Sequence, residues 1–195
     1  INKKIMKPSE KLYILKPSLT DTGKVNTIKT SFNGISKKIQ NVKKNSLDKK
    51  VIIQEYIDGF DITVYGFIKN FKIKILSIFQ EENYFNKYGK LSKSFLLNPS
   101  SKVNKSKVER QSNEILKKIQ INDCPISISF RVKKNKLYLI EIHNDLCGDN
   151  ILSKLLSRSI KNIDPYLWVI KMHDNTCKLK LPKKIFYQEI RMKLF

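Results

Sequence analysis

The sequence predicts an α+β fold built on a mainly antiparallel sheet. Short segments alternate apolar and polar residues, which is typical of strands. Neighbouring segments are joined by short turns rich in Asn, Asp, Gly and Lys, which indicates hairpins and therefore antiparallel pairing. Amphipathic helical segments lie between these hairpins, and hairpins beside helices are the α+β pattern.

In the first part of the chain, hairpins are predicted on either side of one helix. Turn residues at 17–24 separate the first two strands. Ile35 and Ile39 lie on one side of the next segment and Lys on the other, which predicts a helix. A Lys-Asn pair at 69–70 joins two further strands. The predicted elements are strands at 11–16, 25–30, 51–56 (expected to be buried), 61–68 and 71–79, and a helix at 36–44.

The second part predicts a long helix followed by another hairpin. Residues 81–101 are expected to be irregular, with a turn at Asn98-Pro99. Apolar side chains at Val108, Ile115 and Ile119 recur at helical spacing. The remaining predicted elements are helices at 102–119 and 151–159, and strands at 126–132, 136–143 and 184–189.

The charge of the chain reflects a biased composition. The 195 residues carry a formal net charge of +22, and 35 of the 39 basic residues are Lys. Asn and Ile are abundant and Ala is absent, a pattern that an AT-rich genome produces whatever the protein does. Lys is spread through nearly every segment, which argues against a nucleic-acid interface. No apolar run approaches the roughly 18 residues that span a bilayer, which argues against a membrane protein.

The cysteines and the first residues of the sequence indicate the cellular compartment of the protein. Three widely spaced cysteines without a CxxC pair argue against a zinc cluster or a disulfide framework and favour a reducing compartment. No signal peptide is visible, so we expect a cytoplasmic protein. The chain begins at Ile1 rather than Met, which indicates either processing or an origin in a longer protein.

Two segments without Lys or Arg stand out in this basic chain, and we call them the acid islands. They cover residues 51–63 and 139–150, and each holds three acids. Each adjoins a hydrophobic strand, and carboxylates at strand ends can hold Mg²⁺ through oxygen ligands. Solvated strand ends are the alternative. The acids are Glu55, Asp58, Asp61, Glu141, Asp145 and Asp149.

Glu141 interrupts an otherwise apolar strand at 137–143. Alternation places Glu141 and His143 on the same face of that strand. A carboxylate on a strand expected to be mostly buried needs a partner, and a metal ion is a natural one. By itself, His143 is more often a structural histidine than a metal ligand.

Three blocks in fixed order carry a family resemblance. In the first, a strand ends in Lys16-Pro17 and is followed by a loop of small residues. In the second, Asp61 follows Gly59 by two positions. In the third, two strands are followed by Gly148-Asp149. Together the blocks resemble the ATP-grasp superfamily, in particular its carboxylate–amine ligase branch. The blocks are residues 13–25, 51–64 and 128–151.

The resemblance implies two small α+β subdomains, residues 1–57 and 58–195, whose antiparallel sheets sandwich a nucleotide. It implies ATP and Mg²⁺ as cofactors, and small-molecule carboxylate and amine substrates. The carboxylate would be activated as an acyl phosphate for attack by the amine. It also implies that the chain is the C-terminal part of a longer ligase. A degenerate, non-catalytic nucleotide-binding module is the alternative, and a basic nucleic-acid-binding protein is a third.

The resemblance further implies a nucleotide site. Lys16 would contact the ATP phosphates as a point charge, and the loop after it would cover them through backbone N–H groups. Glu55, Tyr56 and Ile57 would form the adenine hinge, and Asp61 would accept hydrogen bonds from the ribose hydroxyls. The implied nucleotide-binding residues are Lys16, Thr20, Thr22, Gly23, Glu55, Tyr56, Ile57 and Asp61.

A metal site and a catalytic residue are implied as well. Glu141 would bridge Mg²⁺ ions, with Ser129 and His143 at the other ligand positions. Arg131 would stabilise an acyl-phosphate or tetrahedral intermediate through its fixed charge and fork geometry. The family usually has an acid where Ser129 stands and Asn where His143 stands, and these departures favour the degenerate alternative.

Overall fold

The structure is a computed structural model that describes residues 11–20, 27–86, 89–97, 103–145, 164–174 and 191–193. The chain forms two compact units. The first contains a three-stranded sheet and the second the body of a six-stranded sheet. The units are Ile1–Asp58 with Asn83–Ser92, and Gly59–Glu82 with Lys93–Phe195.

The described residues form strands and helices in the order expected of an α+β fold, and the predicted fold class is confirmed. The strands are β1 (Leu12–Pro17), β2 (Ile28–Ser31), β3 (Val51–Glu55), β4 (Phe60–Lys69), β5 (Lys72–Asn86), β6 (Gly89–Leu97), β7 (Pro125–Lys133), β8 (Lys136–His143) and β9 (Arg191–Lys193). The helices are α1 (Ile35–Lys44), α2 (Lys105–Ile119) and α3 (Pro165–His173), with a short 3-10 helix at Phe32–Gly34.

The three-stranded sheet has the order β2-β1-β3, with β1 antiparallel to both neighbours. Helix α1 packs beside β1, and Leu15 and Val42 are both buried. Since side chains alternate along a strand, Lys16 lies on the face opposite to that of Leu15. The sheet therefore has one face covered by α1, and Lys16 lies on the other.

The six-stranded sheet has the order β8-β7-β4-β5-β6-β9. Its pairings β4–β5, β4–β7, β7–β8 and β6–β9 are antiparallel. One face packs apolar side chains of the strands against α2, where Val108 and Leu116 are buried. The main strand residues of this core are Ile62, Val64, Ile68, Ile73, Ile75, Ile78, Ile126, Ile128, Phe130 and Val132.

The ends of α2 and α3 are fixed by side-chain caps. The Asn104 side chain accepts a hydrogen bond from the Lys107 backbone N–H at 3.0 Å, so α2 begins at Lys105 rather than at the predicted residue 102. Asp164 caps α3 through the N–H groups of Tyr166 and Leu167. The sequence predictions contained no helix at α3, although Asp followed by Pro is a common start of a helix.

Two predictions about strands are wrong. Residues 81–101 were expected to be irregular, but β5 continues to Asn86 and β6 follows it. Strand β3 was expected to be buried, but it is an edge of its sheet, and Ile52 and Ile53 are 39% and 46% exposed. The apolar run of β3 does not mark a core position because an edge strand has a neighbour on one side only. The predicted helix at 151–159 and strand at 184–189 lie outside the described residues.

Candidate functional site

The second face of the six-stranded sheet is polar and nevertheless buried. Strand β4 pairs with β7 so that polar residues of the two strands lie directly opposite one another. These pairs face away from the α2 core because they alternate with its apolar residues. We call this side of the sheet the polar face. Its central pairs are Asp61 with Arg131, Thr63 with Ser129, and Tyr65 with Ser127.

Asp61 and Arg131 form a bidentate ion pair on the polar face. Arg131 Nε donates to Asp61 Oδ1 and Nη2 donates to Oδ2 at 3.1 Å. The Arg131 side chain is only 13% exposed and the Asp61 side chain 3%. Arg131 Nη1 also donates to the carbonyl of Gly59 at 3.4 Å. The predicted ribose acceptor and the predicted catalytic arginine therefore hold each other, in the fork geometry that Arg favours with carboxylates.

Thr63 connects three strands through its hydroxyl. Its Oγ1 donates to Glu81 Oε1 at 2.5 Å and lies 3.0 Å from Ser129 Oγ. A threonine hydroxyl carries one proton, so Ser129 must be the donor in the second bond. Glu81 is 6% exposed and was missed by the sequence predictions. The sequence feature that could have identified Glu81 is an acid at the end of an apolar strand segment in a Lys-rich chain.

The three predicted metal-site residues lie at adjacent positions of the polar face. Glu141 on β8 pairs directly with Ser129 on β7, and His143 pairs with Ser127. Glu141 Oε2 and His143 Nε2 are 3.8 Å apart, with side-chain exposures of 31% and 50%. Strand β8 is thus not the buried strand that was predicted, since it ends the strand order of its sheet. In the described part of the chain, no three His, Cys, Asp or Glu side chains are grouped to hold a metal ion.

Lys16 and the predicted hinge lie at opposite ends of the β1–β3 ladder. Lys16 pairs with Ile52, and Tyr13 pairs with Glu55. The Tyr56 backbone N–H donates to the Leu12 carbonyl at 2.8 Å, which extends the β1–β3 ladder into the predicted hinge. The first unit therefore places Lys16 and the start of the hinge on two adjacent strands.

Lys29 is a further basic residue beside the hinge. Its ammonium lies 3.6 Å from the centroid of the Tyr56 ring, a cation–π contact. Lys29 pairs with Ile14 on β1, and by alternation it shares a sheet face with Lys16. Lys29 was not predicted because one Lys among 35 carries no signal. The predicted residues Thr22, Gly23 and Gly148-Asp149 lie outside the described residues.

The sequence matches the family described as ATP-grasp domain over residues 5–153. The chain belongs to this ATP-grasp family. The predicted family resemblance is therefore confirmed. A comparison with curated proteins finds no match.

Solved structures that resemble the chain share its fold at low identity. One is the biotin carboxylase domain of a 2-oxoglutarate carboxylase from Hydrogenobacter thermophilus, in complex with ADP, magnesium and bicarbonate. It is 13% identical to this chain, with a TM-score of 0.67 over 90% of this chain. A biotin carboxylase from Campylobacter jejuni, in complex with β-γ-ATP, is 14% identical with a TM-score of 0.66 over 91%. An L-amino acid ligase from Bacillus licheniformis is 15% identical with a TM-score of 0.61 over 87%.

The chain spans 39% of the length of each of these structures. At such identities the likeness shows the ATP-grasp fold. None of the helices described is long and apolar enough to cross a membrane.

Proposed function

We propose that this chain is an ATP- and Mg²⁺-dependent ligase domain that activates a carboxylate as an acyl phosphate for attack by an amine. The observation that carries the proposal is the match to the ATP-grasp domain family over residues 5–153. The similar structures include a protein named as an L-amino acid ligase. They also include a phosphoribosylglycinamide synthetase from Anaerococcus prevotii. This synthetase is 14% identical, with a TM-score of 0.54 over 82% of this chain and 39% of the synthetase.

In this proposal the first unit binds the nucleotide. Lys16 and Lys29 share one sheet face, and two ammonium groups provide the positive charge that a triphosphate requires. Tyr56 lies in the hinge, and the Lys29 ammonium lies over its ring. Glu55, Tyr56 and Ile57 form the proposed hinge for the adenine base, in which the Tyr56 N–H is already bound to the Leu12 carbonyl.

Glu141 is the described carboxylate best suited to Mg²⁺. It is partly exposed, and it pairs directly with the hydroxyl-bearing Ser129. Mg²⁺ is usually bound through one or two carboxylates together with substrate phosphates, so a single carboxylate fits Mg–ATP better than free Mg²⁺. A bound Mg²⁺ would neutralise charge on the phosphates. The imidazole of His143 is a poorer Mg²⁺ ligand than an oxygen donor, and it suits an interaction with Glu141 better.

A second candidate function is nucleotide binding without ligase chemistry. The ion pair between Asp61 and Arg131 favours it, because the arginine expected to stabilise an intermediate already binds a buried carboxylate. For Arg131 to act on a substrate, this pair would have to open, and separating a buried ion pair is costly. In this alternative, Arg131 positions Asp61 and contacts no substrate.

Binding is tested by titrating the protein with ATP, with and without Mg²⁺, in a calorimeter. We expect Lys16→Met to weaken ATP binding under both conditions. We expect Glu141→Gln to weaken Mg–ATP binding by about tenfold or more while binding of Mg²⁺-free ATP is unchanged. Lys118→Met, which removes an exposed Lys of α2, is the matched control. If wild-type protein binds no ATP at millimolar concentration, the proposal is wrong.

Ligase chemistry is tested separately with hydroxylamine as a general amine. A mixture of small carboxylic acids, Mg–ATP and hydroxylamine should yield hydroxamate and phosphate in equal amounts if an acyl phosphate forms. Loss of the product in Glu141→Gln would link it to this site. ATP binding without carboxylate-dependent phosphate release would instead establish the second candidate function.

A further inference from the structure

A loop after α1 is hydrogen-bonded to the segment that follows β1. The loop residues are Ser46, Leu47, Asp48 and Lys50, and their partners are Ser18 and Leu19. We call this set of contacts the Ser46 clamp. It lies within the first unit, next to Lys16 and Thr20, two of the predicted phosphate contacts.

The Ser46 side chain is the centre of this clamp. It is 1% exposed, and its Oγ lies 2.6 Å from Asp48 Oδ1 and 3.4 Å from the backbone N of Leu19. A serine hydroxyl has one proton and two lone pairs. Because the distance to Asp48 is short and its carboxylate is charged, the Ser46 hydroxyl donates its hydrogen bond to Asp48. The oxygen is then oriented to accept from the Leu19 N–H.

Backbone bonds complete the clamp. The Leu47 N–H donates to the Leu19 carbonyl at 2.8 Å, and the Ser18 N–H donates to the Lys50 carbonyl at 3.1 Å. The Lys50 N–H donates to Asp48 Oδ1 at 3.1 Å. Both main-chain polar groups of Leu19 are thus bound, one of them by the Ser46 side chain.

Burial contributes little to holding this segment. Leu19 is 55% exposed and Leu47 is 63% exposed, so neither side chain gains much from removal from water. The hydrogen bonds of the Ser46 clamp must therefore fix the path of the chain here. The clamp also continues the β1–β3 ladder, in which Lys16 pairs with Ile52 and Pro17 with Val51.

We propose that the Ser46 clamp positions Lys16 and Thr20 for contact with nucleotide phosphates, so that Ser46 is a positioning residue of the ATP site. This inference rests on the proposed function. Ser46 is 30 residues away in sequence from Lys16, yet it acts on the segment that joins Lys16 to Thr20. Pre-ordering of that segment raises affinity because binding then spends less free energy on fixing it.

Ser46→Ala tests the proposal because it removes the hydroxyl and little volume. We expect ATP and ADP to bind about three- to tenfold more weakly, the effect of about one net hydrogen bond. Adenosine, which has no phosphates, should bind as it does to the wild type. Ser112→Ala is the matched control, since Ser112 is fully buried in α2 and its hydroxyl has no hydrogen-bond partner among the described residues.

Hydrogen exchange of backbone amides provides a readout that does not depend on ligand. In Ser46→Ala, the Leu19 and Leu47 amides should exchange faster than in the wild type, while amides of β4 and β7 do not change. Asp48→Ala, which removes the acceptor of the Ser46 proton, should have the same two effects. It serves as the second variant if Ser46→Ala does not fold.

The outcomes separate the two proposals. If wild-type protein binds no ATP, the proposed function fails and the nucleotide role of Ser46 fails with it, although amide exchange still shows whether the clamp holds Leu19. If the wild type binds ATP and both variants bind it equally well, the clamp does not position the phosphate contacts. Equal weakening of ATP and adenosine binding would also overturn the inference, because it would indicate general damage to the unit.

Discussion

Arg131→Met is the substitution that most directly tests the electrostatics of the polar face. Methionine keeps much of the apolar stem of Arg131 but removes the guanidinium. Asp61 then loses both hydrogen bonds of the bidentate pair, and its side chain is only 3% exposed. A buried carboxylate without its partner is strongly destabilising. The substitution should therefore cost more than removal of a surface charge.

The magnitude follows from burial of the pair. Removal of one partner of a fully buried ion pair costs about 3–5 kcal/mol. Arg131 is 13% exposed, so water reaches part of the site and the lower end of this range, about 3 kcal/mol, is expected. For a protein of this size that corresponds to a fall of about 6–12 °C in the melting temperature.

The assay is urea unfolding followed by the fluorescence of Trp168, the single Trp of the sequence, which belongs to the same unit. Asp61→Asn and the double variant complete a double-mutant cycle. We expect the double variant to be more stable than the sum of the single effects predicts, because it leaves no buried charge unpaired. Arg110→Met, at an exposed position of α2, should change stability by less than about 0.5 kcal/mol. A cost below about 1 kcal/mol for Arg131→Met, or strict additivity in the cycle, would refute the reasoning.

Three further predictions concern side-chain hydroxyls and one carboxylate. Thr63→Val should destabilise the second unit by about 2 kcal/mol in the same urea assay, because the bonds to Glu81 and Ser129 are both lost in a buried site; no change would contradict the hydroxyl network. Tyr65→Phe should leave stability unchanged or raise it. The buried Tyr65 hydroxyl has no hydrogen-bond partner in the described part of the chain, and the edge contact of the ring with Phe79 is kept. A loss of stability of more than about 1 kcal/mol would disprove this. Hydrogen bonds from the Ser46 hydroxyl and then from the Lys50 backbone N–H hold the pKa of Asp48 below its ordinary value of 3.8. The charged carboxylate therefore stabilises the fold above pH 3.8. This contribution to stability is lost as the pH falls through the lower pKa of the folded protein. The stability difference between wild type and Asp48→Asn should accordingly be largest near neutral pH and vanish in acid, and a difference that grows toward low pH would be incompatible with this sign.

The fold could be predicted as far as alternation and turn chemistry are visible in the sequence. The hairpins β4–β5 and β7–β8 were predicted because each joins two apolar strand segments through a short turn of Lys and Asn. Strand β6 was missed because Lys and Ser fill much of its length, and in such a Lys-rich chain they resemble a loop. The turn after β4 lies at Asn70 and Phe71, one residue later than predicted, with φ values of 53° and 56°. Two consecutive positive φ angles are typical of a type I′ hairpin turn.

The residues of the site could be predicted more readily than their partners. Sequence spacing indicated that Glu141 and His143 share a face, and their registers with Ser129 and Ser127 agree with this. The pairing of Asp61 with Arg131 could not be predicted, because these residues are 70 positions apart and the register of β4 against β7 depends on packing across the whole sheet. The bond between Glu81 and Thr63 could not be predicted for the same reason, since it exists only in the folded sheet.

The polar face also bears on how the protein reaches its fold. A strand that slips by one residue turns every side chain to the opposite side of its sheet. In β4 and β7 such a slip would turn the Asp61 carboxylate and the Arg131 guanidinium into the apolar core beneath α2, where neither would meet its partner. An entirely apolar strand pair would tolerate the error, because both registers would bury similar surfaces. The charged pair therefore favours the native register of β4 and β7 over a register shifted by one residue.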